Sequence, residues 1–226
     1  TLTITSGNTL NVGGALSATV VTTAIDGRGG AITFAIVDGT GMATVDANTG
    51  VIVAINVGAV TLTVNSAGDN DYAPASQSQE IIIIPGLPTL TITSGDTVSV
   101  DGTLSATVIT SATLGRGGVI TFDVVAGSGS ATVDGNSGLV TGVGAGVVTL
   151  IARATGDTDY LGGITNQQLT VVQVSPTLTI TSANTLEVEG SLSVIVVSTA
   201  TDGRGGAITF AVIAGSGSAT IDTNSG

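Results

Sequence analysis

Apolar and polar residues alternate along short segments of this chain. In one segment Val60, Leu62 and Val64 alternate with Thr61 and Thr63. A period of two predicts a half-buried β-strand, because successive side chains of a strand point to opposite faces of the sheet. The same pattern, bounded by Gly- and Asx-rich turns, predicts these strands in the first 88 residues, the first strand being split in two: Thr1–Ile4 with Thr9–Val12, Leu16–Ala24, Ile32–Val37, Ala43–Val45, Val51–Ala54, Val60–Asn65 and Gln77–Ile84.

The pattern repeats with a constant step of 88 residues. Landmarks that keep this step are Thr1–Ser6, Thr89–Ser94 and Thr177–Ser182, and also Arg28, Arg116 and Arg204. A period without insertions indicates one structural module in tandem copies. The predicted domains are repeat 1 (residues 1–88), repeat 2 (89–176) and the N-terminal part of an incomplete repeat 3 (177–226).

Substitutions between the repeats indicate which face of the last strand is buried. Ile82 is replaced by Thr170 in repeat 2, whereas the positions of Ile81 and Ile83 stay apolar. A polar replacement is tolerated at the surface and costly in a core. We therefore expect Ile81 and Ile83 to point into the core and Ile82 to face solvent.

Strand number and turn spacing predict the fold class. About seven short strands with Gly-rich turns every 8–12 residues are typical of an all-β, immunoglobulin-like Greek-key β-sandwich. No stretch has a helical period long enough to matter. The repeats are joined by short junctions that contain proline, Pro85–Pro88 and Ser175–Pro176. Because such linkers are stiff, we expect tandem sandwiches arranged as a semi-rigid rod.

Repeat 3 ends at Gly226, the position of Gly50 in repeat 1. It therefore lacks the last three predicted strands. We favour a fragment of a longer protein. The alternative is that another chain completes the half-domain by strand donation, since an open half-sandwich exposes strand edges.

Composition and charge exclude several classes of function. The chain has 226 residues, a formal charge of −12, four arginines and no lysine, histidine, cysteine or tryptophan. A chain with so few cationic side chains cannot displace the counterions that surround a nucleic-acid backbone, so we expect no nucleic-acid partner. No apolar run approaches the roughly 18 residues of a spanning helix, so we expect no membrane insertion by this segment. Without His, Cys or Lys for acid–base or covalent chemistry, we expect no enzyme and no required cofactor.

A pair of acidic loops offers candidate chemistry. Gly68–Tyr72 (GDNDY) recurs as Gly156–Tyr160 (GDTDY), between the last two strands of each repeat. Carboxylates at i and i+2 are ligands that calcium accepts, although it needs six to eight oxygens. In an immunoglobulin-like sandwich this loop shares a pole with the loop that carries the arginine, and arginine would weaken a calcium site. We therefore predict Arg–Asp salt bridges and keep calcium as the alternative. The residues concerned are Arg28 with Asp69 and Asp71, and Arg116 with Asp157 and Asp159.

Two long motifs carry a resemblance to a known family. Residues 32–50 (ITFAIVDGTGMATVDANTG) followed by AGDNDY at 67–72, and residues 120–138 (ITFDVVAGSGSATVDGNSG) followed by TGDTDY at 155–160, resemble bacterial Ig-like repeats. The resemblance covers the whole chain, but its motifs are structural and do not identify a ligand. It implies a place in a large cell-surface adhesin, similar to the SprB-type gliding adhesins of Bacteroidota, with type 9 secretion and an outer-surface location. Asp96–Thr97–Val98 is similar to the O-glycosylation pattern of Bacteroidota, which would make Thr97 a sugar carrier.

Together these observations favour a non-enzymatic stalk or spacer segment of a large extracellular bacterial repeat adhesin or surface filament. Its expected partners are the neighbouring repeats of its own chain. The first alternative is a self-assembling filament or sheath subunit, completed by strand donation from other copies. The second is a carbohydrate-binding module, which the scarcity of aromatic residues disfavours.

Overall fold

The computed structural model describes residues 1–200 and 203–226, and all regular structure within these ranges is β-strand. The chain divides into two compact units, Thr1–Val172 and Gln173–Gly226. The described residues include no helix that is long and apolar enough to cross a membrane. The predicted all-β class is confirmed.

Repeat 1 forms nine short strands. They are β1 (Leu2–Ile4), β2 (Thr9–Asn11), β3 (Ala15–Ser17), β4 (Val20–Thr22), β5 (Ile32–Asp38), β6 (Met42–Val45), β7 (Val51–Asn56), β8 (Gly58–Ser66) and β9 (Ala75–Ile84). They pair in the orders β2-β9-β8-β5, β3-β7-β6 and β1-β4. The pair β2–β9 is parallel and the others are antiparallel. This order, in which the split first strand contributes to both layers, is that of an immunoglobulin-type sandwich.

The core of repeat 1 lies between these layers. Alternation along β8 buries Val60, Leu62 and Val64, none of which is more than 1% exposed. In β9, Ile81 and Ile83 are buried at 0% and 1% exposure. Ile82, between them, is 38% exposed, so the predicted faces of this strand are confirmed.

The prediction of one continuous strand over Leu16–Ala24 is wrong. The segment is divided into β3, which pairs with β7, and β4, which pairs with β1. At the break the Ala18 N–H donates to the Gly50 carbonyl and Thr19 accepts from the Thr5 N–H. The side chains still alternate through the break, with Ala18 buried and Thr19 exposed. The sequence pattern therefore gives the buried face but not the change of partner strand.

Repeat 2 reproduces the same strands up to Val172. They are β10 (Leu90–Ile92), β11 (Thr97–Ser99), β12 (Thr103–Ser105), β13 (Val108–Thr110), β14 (Ile120–Ala126), β15 (Ser130–Val133), β16 (Leu139–Gly144), β17 (Gly146–Ala154) and β18 (Gly163–Val172). Their sheets have the orders β11-β18-β17-β14, β12-β16-β15 and β10-β13, which match repeat 1 strand for strand.

The second unit, Gln173–Gly226, contains one antiparallel pair, β19 (Leu178–Ile180) with β20 (Val196–Ser198). Within its described residues no further strand forms. Apolar positions that are buried in repeat 1 are open here: Val188 is 97% exposed, whereas the equivalent Val12 is 4% exposed. In repeat 1 the equivalent Val12 belongs to a buried cluster that includes residues of β8 and β9.

Candidate functional site

The pole of each repeat is formed by two loops that touch through their backbones. In repeat 1 they are the arginine loop (residues 25–30) and the acidic loop (residues 68–72). Gly30 has φ +76°, and a Cβ there would lie 2.2 Å from the Gly68 carbonyl oxygen. The Gly68 N–H donates to the Gly29 carbonyl at 2.9 Å. Only glycine fits this close approach in the left-handed region, so the Arg-Gly-Gly sequence fixes how the two loops meet.

Asp69 ties these loops together. Its Oδ1 accepts the N–H groups of Asp71 and Tyr72, both at 2.9 Å, and its Oδ2 accepts the Gly29 N–H at 2.6 Å. The hydrogen bond from Gly29, and then those from Asp71 and Tyr72, lower the pKa of the Asp69 carboxyl. Asp69 is thus a loop organiser, and the structure does not bring it to Arg28 as a salt-bridge partner.

Asp157 has the same role in repeat 2. It accepts the N–H groups of Asp159 and Tyr160 at Oδ1, both at 2.9 Å, and the Gly117 N–H at Oδ2, at 2.7 Å. The pKa of the Asp157 carboxyl is lowered, chiefly by the hydrogen bond from Gly117. The internal structure of the two poles is therefore the same.

The second aspartate of each loop meets the arginine. Arg28 Nη1 lies 2.9 Å from Asp71 Oδ2, and Arg116 Nη1 lies 2.9 Å from Asp159 Oδ2. The exposures differ sharply. The Arg28 and Asp71 side chains are 53% and 61% exposed, whereas those of Arg116 and Asp159 are 24% and 13% exposed. The structure thus places the same ion pair in two different environments.

These contacts use the oxygens that calcium would require. Both oxygens of Asp69 accept backbone N–H groups, and Asp71 Oδ2 faces a guanidinium. Within the described ranges, no group of three or more Asp, Glu, His or Cys side chains gathers in an arrangement that could hold a metal ion. Calcium binding at Asp69, Asp71, Asp157 and Asp159 stays a prediction.

Burial of the second ion pair comes from contact with repeat 1. Asp159 Oδ1 accepts the Val57 N–H at 2.8 Å, while its Oδ2 holds Arg116. Arg116 Nη1 also donates to the Ile55 carbonyl at 2.7 Å, and its Nη2 lies 3.3 Å from Asn56 Oδ1. One ion pair thus binds two backbone groups of the preceding repeat, and charge-assisted hydrogen bonds of this kind are stronger than neutral ones.

Tyr160 is the apolar centre of this junction. It is 3% exposed and belongs to the buried cluster of repeat 1 that includes Val12. Its hydroxyl lies 3.0 Å from Thr113 Oγ1 and accepts the Thr113 N–H at 3.2 Å. An aromatic ring with a satisfied polar tip combines a large buried area with a fixed orientation.

Two glycines of repeat 1 make room for this ring. A Cβ on Gly13, which has φ +76°, would lie 3.1 Å from the Tyr160 hydroxyl oxygen. A Cβ on Gly86 would lie 3.0 Å from the Tyr160 ring and 2.5 Å from the Val12 carbonyl oxygen. Gly86 also exchanges backbone hydrogen bonds with the acidic loop, donating to the Asp159 carbonyl at 2.9 Å and accepting from Leu161 at 2.8 Å. We call Gly13 and Gly86 the glycine socket, and the surface of residues 12–13, 55–57 and 85–86 the distal end of repeat 1.

Sequence reasoning missed the glycine socket and the role of Tyr160. A signal was present, because Tyr72 and Tyr160 are the only tyrosines of the chain and occupy the same repeat position. The socket residues also differ between repeats: Gly13 corresponds to Asp101, and Gly86 corresponds to Val174. The end of the repeat that forms the socket in repeat 1 therefore carries larger side chains at both of these positions in repeat 2.

Thr97, the candidate glycosylation residue, is exposed at the start of β11. It pairs with Thr170 in the parallel β11–β18 ladder, and the Asp96 carbonyl accepts the Thr170 N–H at 2.8 Å. Its side chain is accessible, and the modification itself stays a prediction.

Comparison with known proteins adds little to this geometry. No protein-family model and no curated protein sequence matches the chain. One similar solved structure is that of the fibronectin(III)-like modules of CbhA from Clostridium thermocellum. The similarity covers 76% of this chain and 95% of that one, at 16% identity and a TM-score of 0.30. So low a score decides neither fold nor function, and the sandwich assignment therefore rests on the strand order above.

Proposed function

We propose that this chain is a non-enzymatic spacer segment of a large extracellular bacterial repeat protein. In this role the repeats hold a distal binding region away from the cell and transmit tension. The observation that carries the proposal is the junction between repeats 1 and 2, in which Arg116, Asp159 and Tyr160 are committed to the preceding repeat. Residues of the acidic loop, where a binding module would place ligand contacts, serve the packing of one repeat on the next.

The repetition supports a load-bearing role. Stability in a tandem array is approximately the sum of terms for each repeat and terms for each neighbour contact, so the array is lengthened by duplication without redesign. A formal charge of −12 favours mutual repulsion of crowded copies and hence solubility. The sequence resemblance to bacterial Ig-like repeats supports the finer proposal of a cell-surface adhesin of the SprB type.

The intact mass of the native polypeptide that contains this segment tests the proposal. We expect a mass far above the 21.7 kDa of this chain, as in giant repeat proteins. A native mass near that of the chain would overturn the spacer role. Protease treatment of intact cells, followed by detection of released repeat peptides, tests the surface location. Release only after lysis would contradict it.

A second function is favoured by the open apolar face of the second unit. Leu186 and Val188 are 49% and 97% exposed, whereas the equivalent Leu10 and Val12 are 7% and 4% exposed. We propose as the alternative a filament subunit whose open face is covered by strands of a neighbouring copy. Sedimentation of the purified chain over a range of concentrations distinguishes the two. Concentration-dependent polymers support the filament, and a monomer at all concentrations contradicts it.

A further inference from the structure

We propose that the pole of repeat 1 is itself a docking surface, and that its occupant is the distal end of another repeat of the Thr1–Pro88 type, preceding it in the same polypeptide. The docking residues are Arg28, Asp71 and Tyr72. This inference rests on the proposed spacer function and deepens it, because it states which repeat ends fit together.

The two poles share the residues that would dock and the framework of their loops. Arg28, Asp71 and Tyr72 stand at the positions of Arg116, Asp159 and Tyr160. The loops that carry them have the same hydrogen bonds, from Asp69 in repeat 1 and from Asp157 in repeat 2. The loop framework that presents these residues in repeat 2 is therefore already formed in repeat 1, except for the side-chain contact between Thr113 and the Tyr160 hydroxyl, because Ile25 stands at that position. Preorganisation of this kind lowers the cost of binding.

The pole of repeat 1 leaves unused the groups that bind the neighbouring repeat at the pole of repeat 2. Asp71 Oδ2 holds Arg28, as Asp159 Oδ2 holds Arg116. In repeat 2 the other carboxylate oxygen accepts the Val57 N–H and the guanidinium reaches the Ile55 carbonyl. In repeat 1 both side chains are more than half exposed. The distal end of a similar repeat would supply the same N–H and carbonyl groups.

The glycine socket restricts which repeat end fits. The Tyr160 ring occupies space that a Cβ at Gly13 or Gly86 would fill. The distal end of repeat 2 carries Asp101 and Val174 at these positions. An Asp side chain at position 13 would meet the tyrosine hydroxyl, and a Val side chain at position 86 would meet both its ring and the Val12 carbonyl. Crowding of the ring and burial of an Asp carboxylate beside it would both oppose this contact, and costs of this type exclude wrong partners. The pole of repeat 1 therefore selects an end that has the glycine socket.

Covalent linkage makes this docking effective. In the occupied junction the residues Pro85–Pro88 join the two repeats directly, so the second contact is intramolecular. A short tether raises the effective concentration of the two surfaces far above any free concentration. The same linker placed ahead of Thr1 would present the socket to Tyr72 in the same way.

The test uses the full chain with one further copy of Thr1–Pro88 joined ahead of Thr1. Tyr160→Phe and a tyrosine-to-phenylalanine change in the added copy leave Tyr72 as the only tyrosine. Acrylamide quenching of its fluorescence is compared with that of the unextended Tyr160→Phe chain. We expect the quenching constant of Tyr72 to fall several-fold, because Tyr72 becomes buried as Tyr160 is.

The matched control carries Gly13→Asp and Gly86→Val in the added copy, which reproduces the residues of repeat 2 at the socket. Here we expect quenching of Tyr72 to return to the value of the unextended chain. A second variant, Asp71→Ala in the chain with the intact socket, guards against misfolding of the control. Asp71 is exposed in the unextended chain, so its removal should restore quenching without unfolding repeat 1.

Two results would overturn the docking proposal: equal quenching of Tyr72 with and without the added repeat, or equal protection by the socket and by its Asp/Val replacement. The outcome is separable from that of the spacer function. A small native mass with protection of Tyr72 would remove the spacer role and the preceding repeat as native occupant, but would leave the fit between this pole and a glycine socket. A large native mass without protection would do the reverse.

Discussion

Repeats 1 and 2 contain the same arginine–aspartate pair with the same 2.9 Å separation, and yet the pair is a surface feature in one and an interface element in the other. The Asp71 side chain is 61% exposed, and the Asp159 side chain is 13% exposed. The hydrogen bonds of Asp69 and Asp157 within the loops do not account for this difference, because they are the same in both repeats. Contact with the distal end of the preceding repeat accounts for it.

The contribution of an ion pair to the free energy of unfolding therefore depends on what covers the pair. An exposed ion pair contributes about 0–1 kcal/mol, since water and salt screen it. When a pair is covered and its remaining oxygens and N–H groups are hydrogen-bonded, removal of one partner leaves the other charge without compensation. The three predictions that follow use repeat 1 as the internal control for repeat 2.

The largest difference is expected for the tyrosines. Tyr160→Ala removes a ring that is 3% exposed and fills the glycine socket. Large-to-small changes of buried aromatic residues cost about 3–5 kcal/mol. Tyr72→Ala, at a half-buried position, should cost about 1 kcal/mol. Urea denaturation of both variants gives the two free energies of unfolding. Equal losses would contradict the assignment of Tyr160 to the junction.

A smaller difference is expected for the arginines. Arg116→Met keeps most of the aliphatic stem and removes the donors to Asp159 and the Ile55 carbonyl. We expect a loss of about 2–3 kcal/mol, because charged hydrogen bonds in a partly buried junction are broken. Arg28→Met should cost about 0–1 kcal/mol and become neutral in high salt. A salt-dependent loss of the same size for both variants would show that the junction does not bury Arg116.

The smallest difference is expected for the loop aspartates. Backbone hydrogen bonds lower the pKa of both Asp69 and Asp157 in the folded protein. A lowered folded pKa means that the stabilisation is complete above the ordinary carboxyl pKa of about 4 and is lost as pH falls through the folded pKa. Asp69→Asn and Asp157→Asn should therefore each flatten the acid limb of the stability–pH curve, and to a similar extent. An effect confined to one repeat would contradict the equivalence of the two poles.

The sequence alone predicted much of the fold. Strict spacing of Arg28 and Arg116 gave the repeat, and period-two alternation gave the buried faces of β8 and β9. The alternation is a local feature, and the repeat is visible when the copies are compared. Both could therefore be predicted without knowing which strands pair. The division of Leu16–Ala24 into β3 and β4 was not predictable in this way, because alternation fixes the face of a strand and not the strand beside it.

For the site, the sequence determined which residue types meet at the pole, since an immunoglobulin-like sandwich brings the arginine loop and the acidic loop together. Only the tertiary structure decided how the two aspartates divide their roles, with Asp69 holding the Gly29 N–H and Asp71 holding the guanidinium. Only the tertiary structure also decided that Tyr160 enters the glycine socket of repeat 1 while Tyr72 is only half-buried. The physical reason is that burial depends on which surface arrives from another repeat, and the shared Gly-Asp-x-Asp-Tyr motif does not specify that surface.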